Sequence, residues 1–416
     1  MNDSACHVVG ADRAQALEHA EPASPAWMAV FSLAMGVFGL LTAEYLPASL
    51  LTPMAAELGV SEALAGQAVT VTAVVALFSG LLLPGLTRGI DRRVVLLCFS
   101  LLMVLSNLLV AFSSSLAVLL AMRVLLGIAL GGFWSMAAAV AMRLVPAALL
   151  PRALSIIFSG IAVGTVVAVP LGSYLGEAYG WRSAFVAAAA VGLLTLAVQC
   201  FTLPSLPPRL PARLRTVLEV ALRPGIGIGM LGCILVHTGH FALFTYIRPF
   251  LERSAGLDAQ GLALMLLGFG VANFVGTLLA GWMLERSARG TLVLMPALVG
   301  VAALALVLLP ATTLQQALLV ALWGMAFGGV PVAWSNWVAR SVPDQAESAG
   351  GMVVASVQSA IAAGAAAGGA MFSYSGIYGV FVAAGILMLL AALLIALTVK
   401  VGGRQTADSA PRGTHL

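Results

Sequence analysis

The chain is divided into twelve long apolar runs, at roughly 27–51, 64–87, 94–112, 116–142, 153–177, 183–203, 226–250, 261–284, 291–310, 313–339, 347–372 and 376–400. A helix of about 20 apolar residues crosses the ~30 Å hydrocarbon core of a bilayer, so each run is long enough to be a membrane span. Of the 416 residues, 61% are hydrophobic and only 9% are charged, against roughly 25% charged in a soluble domain. No soluble fold of this size could bury so much apolar surface, so lipid must be its solvent. The fold class that follows is an all-α membrane protein with twelve transmembrane helices. Gly and Pro recur inside the runs, which membrane helices tolerate because neighbouring helices re-satisfy the freed backbone groups.

Loop charge sets the expected orientation. With the N-terminus placed in the cytoplasm, the even-numbered loops hold Arg88, Arg92, Arg93, Arg143, Arg152, Arg209, Arg213, Arg215, Arg223, Arg286, Arg289 and Arg340, and the tails add Arg13, Lys400, Arg404 and Arg412. The opposite side holds only Arg182, Arg248 and Arg253. Both termini are therefore expected in the cytoplasm of a bacterial inner membrane. Residues 1–25 are polar and of mixed charge, unlike a cleavable leader, so the first span is expected to act as an uncleaved anchor. The net charge of +4 is scattered, with no basic patch or interleaved aromatics, and argues against nucleic acid. Cys6, Cys98, Cys200 and Cys233 have no metal-ligand spacing, and those in apolar runs are expected as small core residues. No nucleotide-binding loop, metal site or other cofactor is expected.

The chain also repeats itself. Residues 127–132 read GIALGG and residues 324–329 read GMAFGG, 197 positions later. At that offset Arg143 falls on Arg340, Pro146 on Pro343 and Arg92 on Arg289, and with a slip of one Gly180 falls on Gly376 and Phe185 on Phe381. Several matches at one offset argue for duplication. The expected organisation is a tail (1–26), a first six-helix bundle (27–203), a central loop (204–225), a second bundle (226–400) and a second tail (401–416). Two parallel six-helix repeats describe a transporter whose substrate site lies between them near the midplane. The channel alternative lacks a charged ring or filter loop.

The loop GLTRGIDRR (85–93) resembles the cytoplasmic loop motif of the major facilitator superfamily, with Arg88 where an acid is usual and Asp91 where a Gly is usual. Its second-half counterpart, GWMLERSAR (281–289), keeps the acid as Glu285. RVLLGIALGG (123–132) is similar to the family's fourth-span motif with an intramembrane Arg. GIAVGTVVAVPLG (160–172) is similar to the Gly- and Pro-rich fifth-span motif associated with antiporters. The runs 44–73, 130–146, 152–164 and 241–249 bring the resemblance into the drug:proton antiporter branch, near its exporters of purine ribonucleosides and more loosely its sugar exporters. The resemblance covers nearly the whole chain. It implies the major facilitator fold and proton-coupled antiport of a small molecule, with purine ribonucleosides favoured and sugar or amphenicol-like drug efflux as the alternative. It also implies gating charges at Arg88, Asp91, Arg92, Arg93, Glu285, Arg286 and Arg289; the simpler reading of these is positive-inside anchoring. The chain is expected to work as a monomer.

Glu44 is the one acid well inside a span. A charge at the bilayer centre costs ~2.5–3.5 kcal/mol on insertion scales, so such groups face a cavity or a partner. A buried carboxyl can also exchange protons near neutral pH. Counted from Trp27, Glu44 lies ~25 Å along its helix, which leaves open a solvated position at the helix end. Arg123 on span four lies within ~7 Å of the same height and is expected to pair with it. His237 and His240, three apart on span seven, share a face. His240 is a candidate for proton coupling and His237 for substrate contact, against helix packing with a bond to a nearby carbonyl. Gln67, Asn107, Trp134, Phe244, Tyr246, Asn273, Gln358, Trp334 and Asn336 could supply stacking and amide contacts to a nucleoside. Trp334 and Trp337 also fit an interfacial belt. No GxSxG, HExxH or paired aspartate lies within a span, which argues against an intramembrane enzyme.

Overall fold

The computed structural model describes residues 25–146, 149–208, 222–309, 312–342 and 346–399. Most of the central loop and of both tails lies outside the described residues. Among the described residues, ten helical segments are long and apolar enough to cross a membrane. Two of them are double. Ala259–Leu308 breaks at Ser287 and holds spans eight and nine. Ala346–Thr398 turns at Gly376 and holds spans eleven and twelve. The remaining spans are Trp27–Ser49, Glu62–Leu86, Arg92–Ala111, Leu116–Leu144, Arg152–Tyr179, Trp181–Thr202, Ile226–Thr245 and Thr313–Val338. That makes twelve crossings, as the hydropathy predicts. Twelve crossings put both ends of the described chain at one end of the bundle, termed proximal here; the other end is distal.

The duplication is visible in the backbone. Ser61 caps span two by accepting from Leu64 N–H, and Asp258, 197 residues on, caps span eight by accepting from Gly261 N–H. Ser115 and Thr312, again 197 apart, do the same for spans four and ten. These side chains satisfy helix-start amides that have no partner within the helix. Span one stops at Leu50 and resumes as the short helix Leu51–Leu58, closed by Gly59 at φ 66°. Span seven stops at Tyr246 and resumes as Ile247–Ala255, closed by Gly256 at φ 58°. Gly180 and Gly376 make the distal turns into spans six and twelve at φ 81° and 72°. Side chains with a Cβ avoid this region.

The shared GIALGG and GMAFGG segments are the points of closest helix contact. A Cβ built on Gly127 or Gly131 would lie 2.7 Å from Thr72 O or 2.0 Å from Ala76 O of span two. At the same offset, one on Gly324 or Gly328 would lie 2.4 Å from Phe269 O or 1.9 Å from Asn273 O of span eight. Small residues four apart let two helix backbones approach in this way.

Span five follows its motif too. Gly160 and Gly172 lie where a Cβ would strike Ala34 O and the Leu46 side chain of span one. A π-helical turn at Gly164–Ala168 stands just before Pro170. Such turns locally widen a helix.

The halves join from mid-span to the distal end. First-half residues Ala48, Leu51, Ala55, Ala65 and Val169 belong to a core cluster that is otherwise second-half. Val69 and Ala73 pack with Phe241, Ile361, Ala362 and Ala365. The proximal core of the first half, running from Ala29 to Leu206, draws on that half alone.

Candidate functional site between the halves

Glu44 is 4% exposed. The structure therefore overturns the alternative of a solvated helix end. The carboxyl lines a void of about 10 Å³ whose walls come from span one (Glu44, Tyr45, Ala48), span two (Val69), span seven (Phe241, Phe244, Thr245) and span eleven (Ile361). Glu44 Oε1 and Thr245 Oγ1 are both buried without a protein hydrogen-bond partner.

Arg123 reaches span one beside this acid. Its Nη1 donates to Ala43 O at 2.8 Å and its Nε to Thr72 Oγ1 at 2.9 Å, while Nη2 is buried without a partner. The expected direct pair is thus corrected. Arg123 and Glu44 attract through space, but the guanidinium is fastened to the carbonyl one residue before the acid. A helix carbonyl on span one and a hydroxyl on span two take its donors, which positions the positive charge without neutralising the carboxyl by contact.

Behind the slot lies an aromatic cluster that sequence spacing could not select. Phe244 meets Tyr45 edge-on across the halves with ring centroids 5.4 Å apart, and it stacks on His240. His240 is further enclosed by Phe241, Phe269, Trp323 and Phe327. Trp323 Nε1–H donates to His240 Nδ1 at 3.1 Å. An indole N–H can only donate, so the ring proton of neutral His240 sits on Nε2. His237 has the opposite arrangement: its Nδ1 lies 2.8 Å from Cys233 O and donates to it. The two histidines share a face, as their spacing predicts, yet each is committed to a packing partner. For His237 that partner is the neighbouring carbonyl of the simpler expectation.

The other candidates scatter. Gln358 is buried with Oε1 unpartnered, one turn before the slot residue Ile361. Gln67 is half-buried at the start of the main helix of span two. Asn107 donates to Met103 O within span three, which packs inside the first half. Asn273 donates to Gly324 O and joins spans eight and ten. Tyr246 fills the break after span seven, where its hydroxyl donates to Ala365 O at 3.0 Å. Trp134 sits half-buried against Phe158 of span five. Asn336 keeps Nδ2 buried and unpartnered. Trp334 and Trp337 are 1% and 2% exposed and pack on span seven at Gly232 and Gly229, so they form no interfacial belt. Of the cysteines in apolar runs only Cys233 is a core residue; Cys98 and Cys200 are exposed.

At the distal end a polar chain ties the halves together. Arg248, 3% exposed, donates to Ser49 O at 2.7 Å and to Glu252 Oε1 at 2.7 Å, and it pairs with Glu177 at 3.4 Å. Thr52 Oγ1 bridges Glu252 at 2.6 Å and Glu62 at 3.0 Å, and Arg253 pairs with Glu62. Removing one member of such a buried set costs about 1–3 kcal/mol, and each 1.4 kcal/mol is about tenfold in population. Arg248→Ala is therefore expected to lengthen the distance between spin labels at Ala56 and Gln260, which bracket the distal ends of the two halves. An unchanged distance distribution would show that the chain carries no closing energy.

The proximal loop charges bind within their own halves. Asp91 caps span three by accepting from Arg93 N–H and also accepts from Ser205 Oγ and Leu206 N–H. Burial works against its charge, but these hydrogen bonds and nearby Arg143 outweigh it and hold the carboxyl below its usual range. Arg92 donates to Thr87, Arg93 to Cys200 O and Arg289 to Ala396 O, and Arg286 lies over the Trp282 ring. Arg88 and Glu285 are exposed.

Two parallel six-helix halves with a buried acid on the void between them, tied together at one end by cross-half bonds, have the architecture of a secondary membrane transporter. The chain belongs to the Major Facilitator Superfamily, whose family profile matches residues 33–346 and 229–414; it is a transporter and not an enzyme. It is 45% identical over 379 residues to the purine ribonucleoside efflux pump NepI of Salmonella enteritidis, which covers 91% of this chain and 96% of that one. The same values relate it to the NepI proteins of Salmonella typhimurium and Salmonella typhi. Among solved structures, a D-xylose–proton symporter superposes with a TM-score of 0.73 at 20% identity, covering 90% of this chain and 98% of that one. This last likeness is one of fold.

Proposed function

We propose that the protein is a proton-coupled antiporter that exports purine ribonucleosides across the bacterial inner membrane, with its proximal end and both termini in the cytoplasm. The observation that carries the substrate is the 45% identity to Salmonella purine ribonucleoside efflux pumps over 91% of the chain. The loop arginines support the orientation. Glu44 supports the coupling, because it is a buried acid on the slot between the halves. A carrier of this kind needs a carboxyl that is neutral on one side of the transport cycle and charged on the other. Arg123, anchored to Ala43 O, supplies a fixed positive charge on the neighbouring turn. The His240, Phe244, Phe269, Trp323 and Phe327 cluster places flat apolar surface behind the acid, the kind of surface on which a purine stacks. The cross-half bonds at the distal end support a cytoplasm-facing arrangement. One chain builds both the slot and the gate, so a monomer suffices.

The test is uptake into inverted membrane vesicles with an acid lumen. Inosine or guanosine is expected to accumulate and to be released when the gradient is collapsed. Accumulation of arabinose or an amphenicol without a nucleoside would replace the substrate, and nucleoside accumulation indifferent to the gradient would remove the coupling.

A further inference from the structure

The void beside Glu44 is lined by two residues from opposite halves that each carry a buried oxygen without a partner. Glu44 Oε1 belongs to span one and Thr245 Oγ1 to span seven, and neither has a protein partner. Both residues line the same cavity of about 10 Å³, whose other walls (Tyr45, Ala48, Val69, Phe241, Phe244 and Ile361) are largely apolar. Thr245 is 1% exposed. Burying a hydroxyl and a carboxyl without hydrogen bonds costs each about 1–3 kcal/mol or more. A cavity of roughly 10–15 Å³ holds one water when polar partners are present. Of the charged and titratable groups near Glu44, Tyr45 lines the same void and Arg123 keeps Nη2 without a partner, while their neighbours hold other contacts. Arg123 donates through Nη1 to Ala43 O and through Nε to Thr72 Oγ1, and His240 faces Trp323 and Phe327. Arg248 and Glu177 hold each other at the distal end.

We propose that Thr245 is the second-half partner of the Glu44 carboxyl, joined to it by a single water held in this void. The water donates to or accepts from Glu44 according to whether the carboxyl is charged or neutral, and the Thr245 hydroxyl, which can both donate and accept, turns to match. Thr245 is thus a positioning residue. It makes the protonation state of a first-half acid felt by span seven, and parting the halves breaks the bridge. This rests on the reading of Glu44 as the proton carrier.

The test is infrared difference spectroscopy on the full chain in lipid nanodiscs across a pH titration, with no substrate or gradient present. The protonated Glu44 carbonyl band is identified by its loss in Glu44→Gln. Thr245→Val keeps the shape and removes the hydroxyl. It is expected to move that band to higher wavenumber and to abolish a water O–H band sensitive to oxygen-18 water; Thr245→Ser is expected to restore both. Thr245→Ala gives the same readout should the Val variant misfold. A Glu44 band unmoved by Val and Ala overturns the Thr245 bridge while leaving the carrier intact. Absence of any band lost in Glu44→Gln overturns the carrier reading, and the bridge with it.

Discussion

Glu44→Gln is expected to abolish proton-driven export while leaving the protein folded and in the membrane. The exchange is nearly isosteric, and Glu44 Oε1 has no protein hydrogen bond to lose. Carrying a charge inside the bilayer costs ~2.5–3.5 kcal/mol on insertion scales, so the neutral amide is expected to fold at least as well. The driven step cannot survive, because Gln cannot take a proton on one side and release it on the other. Nucleoside accumulation in acid-lumen vesicles should fall to the level of vesicles without transporter, at wild-type expression and with no drop in the unfolding temperature. Exchange of labelled for unlabelled nucleoside without a gradient should persist, because it needs no net proton movement. Accumulation as strong as wild type would place the coupling proton elsewhere.

The second large effect is expected at the repeat glycines. Val at Gly328 would drive its Cβ to 1.9 Å from Asn273 O, and Val at Gly131 to 2.0 Å from Ala76 O. Both obstacles are backbone, so no side-chain rotation relieves them and the helices must part. Overpacking typically costs about 1–3 kcal/mol and occasionally more. At these contacts the expected result is a loss of monodisperse protein or a strongly lowered unfolding temperature for each variant. Gly281→Ala is the control: nothing lies within 4 Å of its added Cβ, and Ala is favoured over Gly in a helix by roughly 0.5–1 kcal/mol. If Gly131→Val and Gly328→Val unfold at the wild-type temperature, the close packing of spans two with four and eight with ten is wrong.

These two predictions draw on different levels of information. The glycines were legible as a repeat of residues 197 apart, and their structural meaning follows directly, because a small residue four from another is a local pattern with a local consequence. The same offset recurs in the Ser61 and Asp258 caps, the Ser115 and Thr312 caps, and the left-handed Gly59 and Gly256. The candidate site was only half legible. Glu44 stood out because an acid in an apolar run is rare and costly. Thr245, Tyr45, Phe269, Trp323 and Phe327 did not, because a hydroxyl or an aromatic ring in a membrane helix is ordinary unless one knows what faces it.

The sequence by itself determined the number of spans, the duplication, the expected orientation and the acid, since all of these are written in residues close together in the chain or at one fixed offset. Only the tertiary structure decided what Arg123 holds, that Glu44 is buried and faces span seven, that the histidines are packed, and that the distal end is the one closed. Each of these is a contact between helices distant in sequence, set by how two bundles dock, and no periodicity within one helix encodes its neighbour.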